Sequence, residues 1–208
     1  MKRAAAIFAL VFSFVLIFYF SAQTQTPAPT LTTNERHYNY GQAIRVPGVP
    51  NSAKVSERLY RGAQPRDPGI HELKKLGITT IVDLRDEEKS KIAWEQKTSE
   101  ALGIHFLNIP VNGWAPPSDQ QVALFLDIFR EHPDEKVFVH CRFGDDRTGV
   151  FVATYRMTFE RFPVGEALRE MNQFGFNRAW HRNMSAFVRE FPSHLESSPA
   201  LAVFKTAP

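Results

Sequence analysis

His140-Cys141-Arg142-Phe143-Gly144-Asp145-Asp146-Arg147-Thr148-Gly149 is the stretch on which the reading of this chain turns. It follows a short apolar run, Val137 to His140, and leads into a helical stretch from Thr148 to Phe159, so it reads as a loop between a buried strand and a helix. Such a loop suits an anion. Its backbone N–H groups point inward, and the first turn of the helix adds free donors and the positive end of its dipole. Cys141, the one cysteine of the chain, stands at the strand end, where those dipoles and the charge of Arg147 favour a thiolate. Arg147 offers a planar fork for two phosphoryl oxygens, which a lysine could meet only as a point charge. Gly144 lets the loop curl around a ligand. Arg142, Phe143 and Asp145 complete the ligand-facing stretch, and Thr148 is placed to hydrogen-bond the sulfur and assist its departure in a second step.

Outward from the loop, strands alternate with helices. Arg58 to Arg61, Ile78 to Leu84 and Ile104 to Ile109 read as strands. Ile70 to Leu76, stopped by Gly77, and Lys89 to Leu102, closed by Gly103, read as helices. Ser118 with Gln121 forms a capping box that opens another helix, whose apolar face carries Val122, Phe125, Leu126 and Phe129 before His132 and Pro133 end it. The alternation implies an α/β fold with a central mixed or parallel sheet flanked by helices.

Lys2 and Arg3 precede an apolar run from Ala4 to Phe20, the pattern of an export signal, either a cleaved signal peptide or a signal anchor over 1–22. Either form sends the rest of the chain across the membrane, so the domain is expected outside the cytoplasm, in the periplasm if the source is bacterial. Residues 23–44 are expected to be a flexible linker, 45–192 the folded domain and 193–208 a frayed tail without periodicity. A chain of 208 residues with 43% hydrophobic and 23% charged content can hold one well-packed domain of ordinary size. The net charge of +3 is scattered, without the basic block that tracks a nucleic-acid backbone, so no nucleic-acid partner is expected. A single cysteine excludes an intramolecular disulfide and a multi-cysteine metal site.

Read as His-Cys-x5-Arg-Thr-Gly, the loop resembles the signature of the protein tyrosine phosphatase superfamily. Leu59-Tyr60-Arg61-Gly62-Ala63-Gln64-Pro65, Ile81-Val82-Asp83-Leu84-Arg85 and Ala153 to Arg156 followed by Glu166-Ala167-Leu168 are similar to bacterial dual-specificity-like members, over about residues 55 to 178. Plant and fungal atypical members, some acting on inositol pyrophosphates, are more distant. The resemblance implies the cysteine phosphatase fold and a phosphomonoesterase in which Cys141 attacks phosphorus and water releases phosphate, with no metal and no cofactor. Its substrate would be a phosphorylated protein or a phosphorylated inositol or lipid.

One element of the family pattern is absent. Members usually carry an aspartate on a separate loop to protonate the leaving oxygen. The corresponding stretch here, Pro110-Val111-Asn112-Gly113-Trp114-Ala115-Pro116-Pro117, offers Asn112 or Gly113 instead. Asp146 is the first candidate for the missing acid, because myotubularin-type lipid phosphatases resemble this loop in an aspartate at that position. Asp145 and Asp119 are the others. The missing acid also leaves open a catalytically weak phosphate-binding module, and a rhodanese-type sulfurtransferase is a third reading of a cysteine loop. His140 either lowers the thiol's proton affinity or orients the strand end. Asp83, Arg85, Arg61 and Gln64 read as groups that frame the site, with a structural pair as the alternative and favoured reading of Asp83 and Arg85; Trp114 and Phe143 read as pocket walls or loop packing, and Arg178, His181 and Arg182 as a rim for anions or a solvated helix start.

Overall fold

A computed structural model describes residues 37–205. The expected export segment and residues 23–36 lie outside the described residues. In chain order the elements are β1 (Gln42–Ala43), β2 (Ala53–Lys54), β3 (Leu59–Ala63), α1 (Asp67–Lys75), β4 (Thr80–Arg85), α2 (Lys89–Ala101), β5 (His105–Val111), α3 (Asp119–Glu131), β6 (Val137–Cys141), α4 (Asp146–Phe159), α5 (Val164–Gln173), α6 (Arg182–Ser197) and a closing 3-10 segment, Pro199–Phe204. The sheet runs β1-β2-β3-β6-β4-β5. Its last four strands are mutually parallel, and β1 and β2 extend it antiparallel, which makes the expected mixed sheet.

β6 lies between β3 and β4 and is buried along its whole length. A parallel strand covered on both faces sends alternate side chains into two separate cores. Val137, Val139 and Cys141 join the larger core with residues of α3 to α6, whereas Phe138 joins the smaller core with Ile70 and Leu73 of α1. Parity therefore commits Cys141 to the α4 side of the sheet and its neighbour His140 to the α2 side.

Two helices, α3 and α4, begin where a side chain satisfies a first-turn N–H group. In α3 both bonds of the Ser118/Gln121 capping box form. α1 opens earlier than the apolar pattern suggests, at Asp67, because Pro68 fits a first turn that needs no N–H donor. α4 likewise opens at Asp146 rather than Thr148, since the Asp145 side chain accepts from the Asp146 N–H at 2.7 Å.

Two boundaries differ from expectation. The domain begins before 45: Tyr38 and Tyr40 pack edge-on against Phe162, the Tyr40 hydroxyl bonds Glu166, and Gly41 N–H donates to Glu170. The tail does not fray either. α6 continues to Ser197, and the 3-10 segment beyond it buries Leu201 and Phe204 in the larger core, with the Phe204 ring 6.4 Å from that of Phe159. A 3-10 segment has no helical periodicity to read, yet two large apolar side chains suffice to dock it. Phe204→Ala is therefore expected to destabilise the domain by about 3–5 kcal/mol, seen as a lower urea midpoint at unchanged slope.

Candidate active site

Cys141 ends β6 at the floor of a cavity of about 700 Å³ that Arg147 also lines. It is only 2% exposed, and its sulfur accepts the Gly144 N–H at 3.3 Å. The loop between them is held from outside. The buried Arg61 donates through Nη2 to the Gly144 carbonyl at 2.6 Å while its guanidinium lies 4.3 Å over the Phe174 ring. Asn51 Nδ2 donates to the Gly144 and Phe143 carbonyls at 3.1 and 3.2 Å. The Phe143 carbonyl drawn outward leaves the N–H of the same peptide, that of Gly144, turned toward the sulfur. Gly144 sits at φ +75°, and a Cβ there would come within 2.4 Å of the Gly62 backbone, so this position admits glycine alone.

Arg147, in the first turn of α4, is fixed by groups the sequence did not announce. Nη1 donates to Glu87 Oε2 at 2.8 Å and to the Val111 carbonyl at 3.1 Å, and Nη2 donates to Glu87 Oε1 at 2.8 Å. Of the five guanidinium hydrogens, this leaves the Nε–H and the second Nη2–H, which share one edge and can grip two oxygens of a phosphoryl group. Glu87 follows β4 at the carboxyl end of the parallel sheet, where open α/β sheets gather their ligand groups. The bonds from Arg147 hold the Glu87 carboxyl well below the usual range, against the opposing effect of burial.

Under the sheet's other face lies a buried polar network. Arg85 pairs with Asp83 through Nε and Nη2 at 2.9 and 2.7 Å and reaches Glu95 at 2.6 Å. His140 Nε2 lies 2.8 Å from Glu95, and its Nδ1 is 3.2 Å from the Cys141 carbonyl. Burial would lower the proton affinity of His140, but the carboxylates of Glu95 and Asp83 outweigh it and the net displacement is upward. Asp83 and Arg85 are thus the structural pair expected, and His140 orients the strand end from behind. The ligand atoms of Asp83, Glu95 and His140 come within 4.8 Å of one another, with the Arg85 guanidinium supplying positive charge among them.

Arg142, Phe143, Asp145, Asp146 and Arg147 line the cavity as the sequence suggested, and Trp114 and Phe143 stand exposed at its rim as walls. Gly144 supports the cavity from behind. Thr148 departs from expectation: it is fully buried on the inner side of α4, and among the described residues its Oγ1 bonds neither the sulfur nor any other group. Asp119 is likewise excluded, because its carboxylate pairs with His194 Nδ1 at 2.7 Å and does not line the cavity. Asn112 shapes its loop by accepting the Trp114 N–H at 2.8 Å. Gln64 contributes only its backbone N–H, donated to the Arg142 carbonyl at 3.4 Å. His181 joins the cavity wall with Asn177 and Trp180, while Arg178 and Arg182 face a neighbouring groove.

Glu87→Gln keeps one acceptor but loses the charge that aligns Arg147, so kcat/KM for a phosphate ester is expected to fall by about 10- to 100-fold. Because the Glu87 carboxyl is depressed in the fold, its contribution to stability is present above the ordinary carboxyl range and is lost as pH falls through its folded value. Acid unfolding curves of Glu87→Gln and the native chain should converge as the pH drops.

The family described as "DSP-PTPase phosphatase fused to NAD+ Kinase" matches residues 45–190. The dual specificity protein phosphatase TpbA of Pseudomonas aeruginosa is 27% identical over 141 residues, covering 67% of this chain and 62% of TpbA, so the match spans less than two thirds of that relative. A crystal structure of P. aeruginosa TpbA superposes with a TM-score of 0.60 at 26% identity over 72% of this chain and 89% of that one. Another, of a TpbA variant in complex with pTyr, gives 0.61 at 22% identity over 81% and 97%. The catalytic core of the PP-IP phosphatase SIW14 from S. cerevisiae shares the fold, with a TM-score of 0.57 at 20% identity over 73% and 95% of the two chains.

Proposed function

The chain belongs to the DSP-PTPase phosphatases, and from that premise we propose that it hydrolyses phosphomonoesters through a phosphocysteine on Cys141, with aryl phosphates of the phosphotyrosine type preferred. The observation that carries this reading is the shared cavity in which the Cys141 sulfur accepts an inward N–H and Arg147 presents a free two-donor edge. The thiolate attacks phosphorus and the S–P bond forms as the ester P–O bond breaks. Asp146 gives its proton to the leaving oxygen. Water then attacks the phosphocysteine, its proton passes to Asp146, and the S–P electron pair returns to sulfur.

Exposed Trp114, Phe143 and Trp180 support an aromatic substrate, since their rings offer apolar faces at the cavity mouth. Asp86 and Asp145 line the same cavity beside Arg142 and Arg147 and oppose the entry of inositol pyrophosphates by like-charge repulsion. The likeness to SIW14 is one of fold and adds nothing to that alternative. Lys2 and Arg3 ahead of the apolar run 4–20 support export, with the domain acting outside the cytoplasm. No helix among the described residues is long and apolar enough to cross a membrane.

Turnover of phosphotyrosine peptides, phosphoinositides and inositol pyrophosphates should rank in that order, and Cys141→Ser should abolish all three. Release of one phosphate per chain without turnover would instead mark a phosphate-binding module. Asp146→Asn is expected to slow alkyl phosphates by about 10²- to 10⁴-fold and p-nitrophenyl phosphate far less, because a poor leaving group needs the proton. A fusion of residues 1–44 to a reporter active only after export should give signal, and Lys2→Glu/Arg3→Glu should reduce it.

A further inference from the structure

Asp146 does not stand alone on the cavity wall. Its Oδ1 accepts the Asn177 N–H at 3.0 Å, and its Oδ2 lies 3.1 Å from His181 Nε2. His181 precedes α6, is only 7% exposed and stacks on the Trp114 ring at 5.2 Å. Trp114 is itself fixed, since its carbonyl accepts from Asn183 Nδ2 at 2.6 Å and its N–H donates to Asn112. The imidazole is thus clamped between the asparagine-bearing loop and the start of α6, with Nε2 beside the carboxylate and Nδ1 without a hydrogen-bond partner among the described residues.

The remaining carboxylates on the wall are differently placed. Glu87 is bound by Arg147, and Asp145 caps α4 through Oδ1, which also lies 4.0 Å from the Cys141 sulfur. Asp86 stands 3.7 Å from Arg147 Nη1. Burial raises the Asp146 carboxyl above the usual range and Asp145 adds to this, while the Asn177 N–H, His181 and Arg147 pull it down. Arg142 and Cys141 complete the charged and titratable groups of the wall.

We propose that His181 is the positioning residue of the acid–base cycle, holding the Asp146 carboxylate that exists between the two chemical steps and returning it in the orientation needed to accept a proton. The inference rests on Asp146 being the acid. In the first step the Asp146 proton passes to the leaving oxygen as the P–O bond breaks. The carboxylate left behind is stabilised by the Nε2–H of His181 and the N–H of Asn177. In the second step it takes the proton of the attacking water as the S–P bond breaks, and the carboxyl is restored. Without the imidazole donor the carboxylate is less stable, so the carboxyl keeps its proton to higher pH and the second step loses its base.

The test is the pH profile of kcat/KM with an alkyl phosphate for the native chain, His181→Phe, His181→Gln and Asp146→Asn. Phe keeps a ring against Trp114 without a donor, and Gln keeps a donor without the ring. The alkaline limb should move up by about one to two pH units in His181→Phe, the worth of a hydrogen bond to a charged group. It should stay near its native place in His181→Gln, and rapid mixing should show phosphoenzyme accumulating in His181→Phe. A limb that vanishes in Asp146→Asn but does not move in His181→Phe overturns the role of His181 and leaves Asp146 as the acid. A limb that survives in Asp146→Asn overturns both. Should His181→Phe fail to fold, loss of the limb's native position in His181→Gln would count equally against the inference.

Discussion

A buried guanidinium under one glycine carbonyl governs the geometry of this site. Arg61, from a strand in the middle of the sheet, donates to the Gly144 carbonyl, and Asn51 donates to the same oxygen. Asn51 also holds the Phe143 carbonyl, and the N–H of that same peptide, that of Gly144, faces the Cys141 sulfur. The arrangement is possible only because residue 144 lacks a Cβ where the Gly62 backbone passes. Strand, loop and helix are thereby fixed relative to one another before any anion arrives, which removes much of the ordering cost of binding one.

The loop that forms half of the candidate site was legible because it is local. A thiol, a glycine and an arginine spaced along one loop between strand and helix carry their chemistry in the order of the sequence, and β6 and α4 fall beside them as the apolar pattern indicates. Glu87 was not legible, since its partner stands 60 residues away and nothing in Asp86-Glu87-Glu88 distinguishes one carboxylate from another. Arg61 reads as a framing group, but its grip on the Gly144 carbonyl, 83 residues away, depends on the fold. Thr148 misled for the opposite reason: it is adjacent in sequence, yet the turn of α4 carries its hydroxyl into the interior. Tyr38, Tyr40 and Phe204 were missed because single aromatic side chains can dock a segment that has no periodicity of its own.

Charge distribution divides the molecule into two dissimilar layers. On the α2 side of β4 and β6, Asp83, Glu95, Arg85 and His140 are closed off from solvent and pair with one another, although Arg85 Nη1, Glu95 Oε1 and His140 Nε2 find no hydrogen bond among the described residues. On the α4 side, Glu87, Arg147, Asp146 and His181 are paired as well but open to the cavity. The first set pins the strand ends, and the second leaves donors free for a visiting anion. Strand parity alone separates them, because consecutive residues of β6 point to opposite layers.

The hydrogen bond from Asn183 to the Trp114 carbonyl joins two walls that arise 69 residues apart in the chain. With Trp114 also stacked on His181, the loop after β5 and the head of α6 form one continuous rim. Whatever enters the cavity passes an opening whose girth these two contacts set.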